Sequence, residues 1–338
     1  MNRSTYLIYS PVNDQSLVIV AFLRKYFPTS YIIGVFLQDN TKLIGKRYYD
    51  EIIDIEEVES AKIDGIKIPS GALATKYLLE KGDVTLGSII LKQPMLKVFS
   101  KSWMLSKAIQ AGIVIPETWY TLEEISRYPL FYKQRYEQGG GVRGVAFKEN
   151  NIPKNRRESL LFQELVNSSG TYGVSFLADK GELLITHTHF ERESIPKVGG
   201  SAIYIECFKD ERLLRYTTQL VKHLNYSGWG LAEFKYCPCR EDYVFMEINA
   251  KFWSSCELAF TNEPLFLKLL FNIDSREKAE KKIFFPHRAL SRSFIFFLRH
   301  FYCFWGDVKI SSYPISLKAL VSGLIPHRFL QIIKNTTQ

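Results

Sequence analysis

The chain has 338 residues, of which 46% are hydrophobic, and a net charge of +9. This length allows a substantial core in two or three structural units. The excess charge is concentrated after residue 275, where eleven cationic residues stand against three acidic ones. Such a distribution argues against a nucleic-acid-binding protein and favours an anionic surface as a local partner of the C-terminal segment.

The cysteines and the apolar runs bear on the compartment. The five cysteines are an odd number, and their spacing does not match a zinc site. No secretory signal is visible, and no apolar run approaches the ~20 residues that span a bilayer. We therefore expect a cytoplasmic protein that is not integral to a membrane.

Short apolar runs alternate with amphipathic segments over residues 1–95. The pattern predicts three strands, over 5–9, 31–36 and 51–55, and two helices, over 15–26 and 70–80 with Ser70 near the N-cap. Strands that alternate with helices indicate an open parallel sheet. No GxGxxG follows the first strand, so a dinucleotide site is not predicted. The loop at 10–14 either lines a cleft at the strand's end or is a plain connection.

A second unit begins near residue 96 with an amphipathic helix over 97–111. Lys133 then lies on a short strand, and the run Gly139, Gly140 and Gly141 follows, with Arg143 after it. Successive glycines let backbone amides approach a phosphate closely, and the two cations would flank it. The stretch predicts a phosphate lid or, as the alternative, a hairpin loop without a ligand. It is not a Walker loop, because no Gly-Lys-Ser/Thr opens a helix after it.

Two strands over 172–178 and 182–189 are joined by a strong hairpin signal. His187 and His189 share one face of the second strand. They are either hydrogen-bonded or solvated histidines or part of a metal site, for which no third ligand is nearby. Arg192 and the loop at 199–201 follow, within reach of a substrate anion.

The hairpin that ends in Glu247-Ile248-Asn249 carries the most specific signal. Strand periodicity places Glu247, Asn249 and Lys251 on one face, and Val244, Met246 and Ile248 on the other. The preceding strand, over 229–236, pairs with it, and in one register Glu233 lies directly across from Glu247. Two opposed carboxylates repel unless a cation bridges them or one holds a proton. Carboxylate and amide oxygens beside a cationic side chain suit a Mg²⁺ ion that is also bound by a substrate phosphate.

In the turn between the strands, Cys237-Pro238-Cys239 is either an ordinary turn or a redox or metal pair.

These motifs occur in an order that resembles the ATP-grasp superfamily, most closely its carboxylate-amine ligases and carbamoyl-phosphate-synthetase-like members. The resemblance covers about residues 95–270. It implies an α/β, Rossmann-like pre-ATP-grasp domain over 1–95 and a two-lobed α+β ATP-grasp domain over 96–275. The lid lobe would cover about 117–166, and a basic, aromatic C-terminal extension would cover 276–338.

The resemblance also implies roles for individual residues. ATP would be bound by Lys101, Lys133, Gly139, Gly140, Gly141 and Arg143 around the phosphates and by Gln163, Glu164, Leu165 and Val166 at the adenine hinge. Mg²⁺, or Mn²⁺ in its place, would be held by Glu233, Glu247 and Asn249. Lys251 would face the transferring phosphate, and Arg192 would meet the acceptor carboxylate. The sequence departs from the family at Ala250-Lys251, which replaces the usual Pro-Arg and loses the bidentate fork of arginine.

The implied reaction joins a small-molecule carboxylate to an amine through an acyl phosphate, at the expense of ATP. The alternative is an ATP-binding module without ligase activity that acts as a regulator or a membrane-associated scaffold. The aromatic segment within 283–305 either packs inside the protein, docks on a second subunit of a homodimer, or makes peripheral contact with a membrane surface.

Overall fold

The computed structural model describes residues 4–38, 46–137 and 141–313. Gly139 and Gly140 and the basic residues after 313 lie outside this range. The chain forms a parallel sheet, a small antiparallel sheet and a large mixed sheet, together with a two-stranded hairpin.

The first domain is an open parallel sheet with strand order β3-β2-β1-β4. Its elements are β1 (Thr5–Tyr9), α1 (Asp14–Tyr26), β2 (Tyr31–Phe36), β3 (Glu51–Asp54), α2 (Ile55–Ser60), β4 (Ile66–Pro69) and α3 (Ala72–Lys81). The prediction of a parallel sheet is confirmed. The central strands are apolar along their length because helices or other segments cover both faces.

The loops after β1 and β4 are joined through Asn13. Its side chain accepts the N–H of Ser16, which caps α1, and also accepts the hydroxyl of Ser70 at 2.6 Å. The N-cap of α3 is Gly71, with φ of 86°, and not Ser70 as the sequence predicted. Ser70 instead joins the two loops through its bond to Asn13, and residues of both loops line a cavity.

A short hairpin and a helix lead into the second unit. They are β5 (Val84–Leu86), β6 (Ile89–Leu91) and α4 (Lys101–Gln110). The helix predicted from residue 97 begins only at Lys101, because Gln93–Phe99 is a 3₁₀ segment and Ser100 accepts the N–H of Trp103 as the N-cap. The side chain of Lys101 therefore projects from the first turn of α4.

A small antiparallel sheet has the strand order β7-β10-β8-β9. Its strands are β7 (Thr118–Trp119), β8 (Leu130–Gln134), β9 (Arg143–Ala146) and β10 (Leu160–Glu164). Trp119, Leu130 and Phe162 fill a separate core on one face. Lys133 is buried on β8 and projects from this lobe toward the large sheet.

The large sheet has the strand order β15-β14-β11-β12-β13-β16-β17. In chain order its elements and the helices on it are β11 (Thr171–Asp179), β12 (Glu182–Ile195), β13 (Ser201–Cys207), α5 (Glu211–His223), β14 (Gly228–Cys237), β15 (Asp242–Asn249), α6 (Cys256–Asn262), α7 (Pro264–Phe271), β16 (Lys282–Phe284), α8 (Pro286–Arg292), α9 (Phe294–Arg299) and β17 (Lys309–Ile310). A single core joins it to the first domain, for example through the edge contact of Phe22 with Phe260.

The segment after residue 281 is part of this sheet rather than an appendage. β16 pairs with β13, and β17 extends the edge in parallel to β16. Arg288 of α8 is 5% exposed and donates to the Asp14 carboxylate of the first domain and to the carbonyl of Ala202. Packing inside the protein, one of the three predicted alternatives, therefore applies to most of 282–310. The described helices include none that is long and apolar enough to cross a bilayer.

Candidate nucleotide and metal site

A cavity of about 430 Å³ lies where the three sheets meet. The loops after β1 and β4 form one wall, the small sheet a second, and β11, β12, β14 and β15 the third. The carboxyl ends of parallel strands thus open on the cavity, the usual place for a ligand in an α/β sheet. The polar and charged side chains among its lining are those of Ser10, Asn13, Gln15, Ser70, Lys101, Lys133, Gln134, Tyr136, Glu137, Arg143, Glu164, Thr171, Glu191, Ser201, Glu233, Lys235, Glu247, Asn249, Lys251, Ser254 and Ser255.

Glu233 and Glu247 face each other across β14 and β15, in the register that the sequence predicts. Burial, the Glu247 carboxylate and Glu191 together raise the pKa of Glu233 to about 8. The pKa of Glu247 is lowered instead, because Lys101, Lys133 and Lys251 outweigh the effect of burial. One carboxylate of the pair is thus strongly ionised while its neighbour favours a proton in the absence of a cation.

A β-bulge on β15 changes which residues face the cavity. Phe234 pairs with Phe245 and Glu233 with Glu247, so Met246 is the extra residue. Met246 lines the cavity beside Glu247, while Phe245 and Ile248 lie in the core. The predicted placement of Met246 on the core face is therefore wrong, because the bulge reverses the alternation at that point.

Two lysines from different elements converge on Glu247. The Nζ atom of Lys133 lies 3.1 Å from Glu247 Oε2 and that of Lys101 lies 3.2 Å from the same oxygen. Burial alone would lower the pKa of Lys101, but Glu247 and Glu137 raise it, so this lysine stays charged. Lys101, Lys133 and Glu247, which the sequence analysis named as site residues, thus form one cluster of side chains.

Glu137 is a member of this cluster that sequence reasoning missed. Its carboxylate lies 2.9 Å from Lys101 Nζ and 3.3 Å from Lys251 Nζ. Burial opposes its ionisation, yet Lys251 and Lys101 lower its pKa to about 2. The available signal was its position two residues before the glycine run. The carboxylate lies between two cations that the resemblance assigns to ATP phosphates.

Two further charged residues were also missed, Glu191 on β12 and Lys235 on β14. Both line the cavity, and burial lowers the pKa of Lys235. Glu191 pairs with Thr171 on the same sheet. Glu191 was missed because the predicted strand ended at residue 189, whereas β12 continues to Ile195 and brings Glu191 onto the cavity face.

The hinge residues after β10 line the cavity with Glu164, Leu165 and Val166. The carboxylate of Glu164 is held by Arg127 at 2.7 Å and by Arg240 at 2.5 Å, so it does not point freely at a base. Gln163 is fully buried and does not line the cavity. Its amide donates to the Thr118 hydroxyl at 3.1 Å, so it supports the strand from behind.

The two predicted arginines are in different places. Arg143 lines the cavity together with Gly141. Arg192 does not line it: its guanidinium pairs with Glu206 on β13, and its side chain is 55% exposed. The structure therefore does not bring Arg192 to the predicted acceptor position, because an acid on the adjacent strand binds it first.

The predicted metal ligands suit a hard cation. Glu233, Glu247 and Asn249 offer two carboxylates and one amide at adjacent positions of two paired strands, and the Asn249 amide lies 3.5 Å from Glu247. Mg²⁺ commonly takes one or two carboxylates and completes its shell with water and phosphate, so a larger protein cage is not needed.

Within the described ranges, no group of three or more His, Cys, Asp or Glu side chains is placed to hold a metal. His187 and His189 are accordingly not a metal site there. Burial and then His189 lower the pKa of His187 to about 3, which keeps this side chain neutral.

Solved structures with the same fold include carboxylases and ligases. Pyruvate carboxylase T882A of Rhizobium etli matches with a TM-score of 0.60 and 14% identity over 77% of this chain, which spans only 27% of that one. The biotin carboxylase domain of Hydrogenobacter thermophilus 2-oxoglutarate carboxylase matches with a TM-score of 0.59 and 10% identity, over 82% of this chain and 72% of that one. The L-amino acid ligase of Bacillus licheniformis has a TM-score of 0.52 and 13% identity, over 83% of this chain and 78% of that one. The sequence itself matches no protein-family model and no curated protein.

These similarities establish the fold. The chain has the ATP-grasp fold, with a preceding α/β domain, and the predicted fold class is confirmed.

Proposed function

We propose that this protein is an ATP- and Mg²⁺-dependent ligase that joins a small-molecule carboxylate to an amine. The observation that carries the proposal is the opposition of Glu233 and Glu247 in a cavity where Lys101 and Lys133 pair with Glu247 and Lys251 lies on the same wall. Two structural neighbours support it. One was solved with MgADP and bicarbonate, and another is an L-amino acid ligase.

In this proposal the lysine cluster receives the nucleotide. Lys101 and Lys133 bind the phosphates, with Gly141 of the lid side above them, and the backbone of Leu165 and Val166 meets the adenine. Glu233, Glu247 and Asn249 hold Mg²⁺, for which Mn²⁺ can substitute. The ion supplies charge neutralisation at the phosphates. Because Glu247 is shared by Lys101 and Lys133 at 3.2 and 3.1 Å, ion binding and lysine position are coupled.

The proposed chemistry proceeds in two steps. A substrate carboxylate oxygen attacks the γ-phosphorus, ADP leaves, and an acyl phosphate forms. The amine then attacks the acyl carbon, phosphate leaves, and the amine nitrogen gives up a proton. Lys251 offsets the negative charge that moves with the phosphoryl group. Exclusion of water from the cavity during the reaction would protect the acyl phosphate from hydrolysis.

The acceptor side of the cavity combines neutral and charged groups. Ser10, Asn13 and Ser70 offer hydrogen-bonding groups from the first domain, and the loop at 199–201 lies opposite. Among the described residues, Arg143 is the arginine that lines the cavity, whereas Arg192 is paired with Glu206. We therefore assign the carboxylate contact to Arg143 in preference to Arg192. Homodimer formation and a cytoplasmic location stay predictions, as does peripheral membrane contact, which has no support from the neighbours.

A direct test measures ADP release by the full chain with Mg²⁺, ATP and a panel of small carboxylates and amines, followed by mass analysis of products. We expect ADP release that needs both a carboxylate and an amine and a product whose mass corresponds to their condensation. Glu247→Gln is the matched inactive variant. Binding of Mg·ATP without turnover on any acceptor would instead favour the ATP-binding module without ligase activity.

A further inference from the structure

The turn between β14 and β15 carries two thiols in contact. The sulfur atoms of Cys237 and Cys239 lie 3.0 Å apart. Cys237, the last residue of β14, is 4% exposed, whereas Cys239 is exposed at the surface of the turn. Pro238 between them restricts the backbone, so the two side chains are held on the same side of a short turn.

The chemistry available to this pair is thiol–disulfide exchange. A disulfide needs the sulfurs about 2.05 Å apart, so closing the observed gap takes a side-chain movement of roughly 1 Å. Two thiols alone do not satisfy a four-coordinate metal such as zinc. The described residues also provide no group of three metal-ligating side chains, which leaves no third ligand for the pair.

The two thiols differ in their exposure and in the charges around them. Cys239 is accessible to a small disulfide. Burial alone would raise the pKa of Cys237, but contact with Cys239 and the neighbouring Arg240 lower it. The Nη1 atom of Arg240 lies 3.8 Å from Cys237 Sγ. A cation at this distance favours the thiolate that would resolve a mixed disulfide on Cys239.

The turn is connected to the nucleotide hinge by two contacts. Cys237 packs with Val166 and Val244 in a small apolar cluster behind the cavity. Arg240 binds the Glu164 carboxylate at 2.5 Å. Both Val166 and Glu164 line the cavity, in the segment that meets adenine under the proposed function. A change in the turn is therefore transmitted to the hinge by one apolar contact and one ion pair.

We propose that Cys237 and Cys239 form a reversible disulfide that weakens nucleotide binding. The Cys239 thiolate attacks a small disulfide RSSR and forms a mixed disulfide with release of one thiol RSH. The Cys237 thiolate then attacks Cys239 Sγ and releases the second RSH. Two protein thiols are oxidised, RSSR is reduced, and both protons pass to the released thiols.

The direction of the effect follows from the contacts. Drawing Cys237 Sγ toward Cys239 removes it from Val166 and displaces the adjoining Arg240 from Glu164. We expect nucleotide affinity to fall about threefold to tenfold, the scale of one partial apolar contact and one partly exposed ion pair. The inference rests on the proposed function in one respect, namely that the nucleotide occupies this hinge.

The test uses the full chain treated with either oxidised glutathione or dithiothreitol. Trypsin releases residues 236–240 as one peptide that contains both thiols, so loss of two hydrogens from this peptide reports the disulfide. Calorimetry then compares Mg·ATP affinity in the two states. We expect the disulfide in the oxidised sample, the lower affinity with it, and recovery of both after dithiothreitol.

Two variants serve as controls. Cys239→Ser alters an exposed side chain and should abolish the response to oxidant, whereas Cys207→Ser removes a half-buried thiol elsewhere and should leave the response intact. The proposal is overturned if the peptide stays a dithiol, or if it becomes a disulfide with unchanged affinity. A reduced protein that binds no Mg·ATP would refute the proposed function and the regulation with it, while the peptide mass still decides whether the disulfide forms.

Discussion

Replacing Glu137 with glutamine should strengthen nucleotide binding while it weakens the nucleotide-free fold. The Glu137 carboxylate lies 2.9 Å from Lys101 and 3.3 Å from Lys251, the lysines proposed to meet phosphates. It is ionised at neutral pH, since Lys251 and Lys101 lower its pKa to about 2 against the effect of burial. A triphosphate must therefore displace or share this carboxylate before it can reach the two ammonium groups.

The magnitude follows from the two ion pairs. At an effective dielectric constant near 20, each pair at this separation is worth about 5–6 kcal/mol before desolvation. Desolvation offsets most of that gain, which leaves a net of roughly 1–2 kcal/mol in partly buried pairs. Removing the competing charge should then tighten Mg·ATP binding by about 5–30-fold. The same loss should lower the unfolding temperature of the nucleotide-free protein, because buried Lys101 and half-buried Lys251 each lose a partner.

Calorimetry with Mg²⁺ and a non-hydrolysable ATP analogue measures the affinity, and thermal unfolding without nucleotide measures the stability. Glu149→Gln is the matched control, because Glu149 is an exposed acid of the same lobe that pairs with Arg157. We expect its nucleotide affinity to match the wild type. Weaker binding by Glu137→Gln would show that Glu137 helps to hold the nucleotide or its ion, and would refute the argument from competing charge.

Three further changes test other parts of the account. Arg288→Met should lower the free energy of unfolding by about 1–3 kcal/mol at neutral pH, since it leaves the half-buried Asp14 carboxylate with His287 as its remaining partner. Burial opposes ionisation of Asp14, but Arg288 and His287 lower its pKa. The Asp14–Arg288 ion pair therefore stabilises the fold fully above the unfolded-state pKa of about 3.9. In urea titrations, the loss of stability in Arg288→Met should become smaller as the pH falls below that value. Gly199→Ala should destabilise the protein by about 1–3 kcal/mol in thermal unfolding, because φ is 67° there and the added methyl would lie 2.7 Å from Phe131. Gly112→Ala should destabilise it less, because φ is 74° but no atom lies within 4 Å of the added methyl. Lys251→Ala should lower turnover about 100-fold, while Lys251→Arg should retain most of it. If Lys251→Ala turned over as fast as the wild type, Lys251 would have no role in phosphoryl transfer.

The sequence predicted the part of the site that lies within one hairpin. Glu233 and Glu247 are joined by a short turn, so strand periodicity and turn length together specify their opposition. Lys133 could be placed by the glycine run that follows it. These inferences depend on contacts that are local in the chain.

Contacts between distant segments were not predictable in this way. Asp14 and Arg288 are 274 positions apart in the chain. The hydrophobic periodicity of either helix does not predict that the two helices contact each other. The choice of Glu206 as the partner of Arg192 depends on the register between two strands. The bulge at Met246 adds one residue to β15 opposite β14, and strict alternation of inward and outward residues does not predict such an extra residue.

The most direct measurement is calorimetric titration of the full chain with Mg·ATP, alongside the folded variants Glu233→Gln and Glu247→Gln. If the two carboxylates share a divalent ion that also binds the triphosphate, the wild type binds with Mg²⁺ present, and each variant loses at least about tenfold in Mg²⁺-dependent affinity, or about 1.4 kcal/mol. Wild-type affinity that is unchanged by either substitution, or the absence of any heat of binding in the wild type, would contradict the shared-ion site.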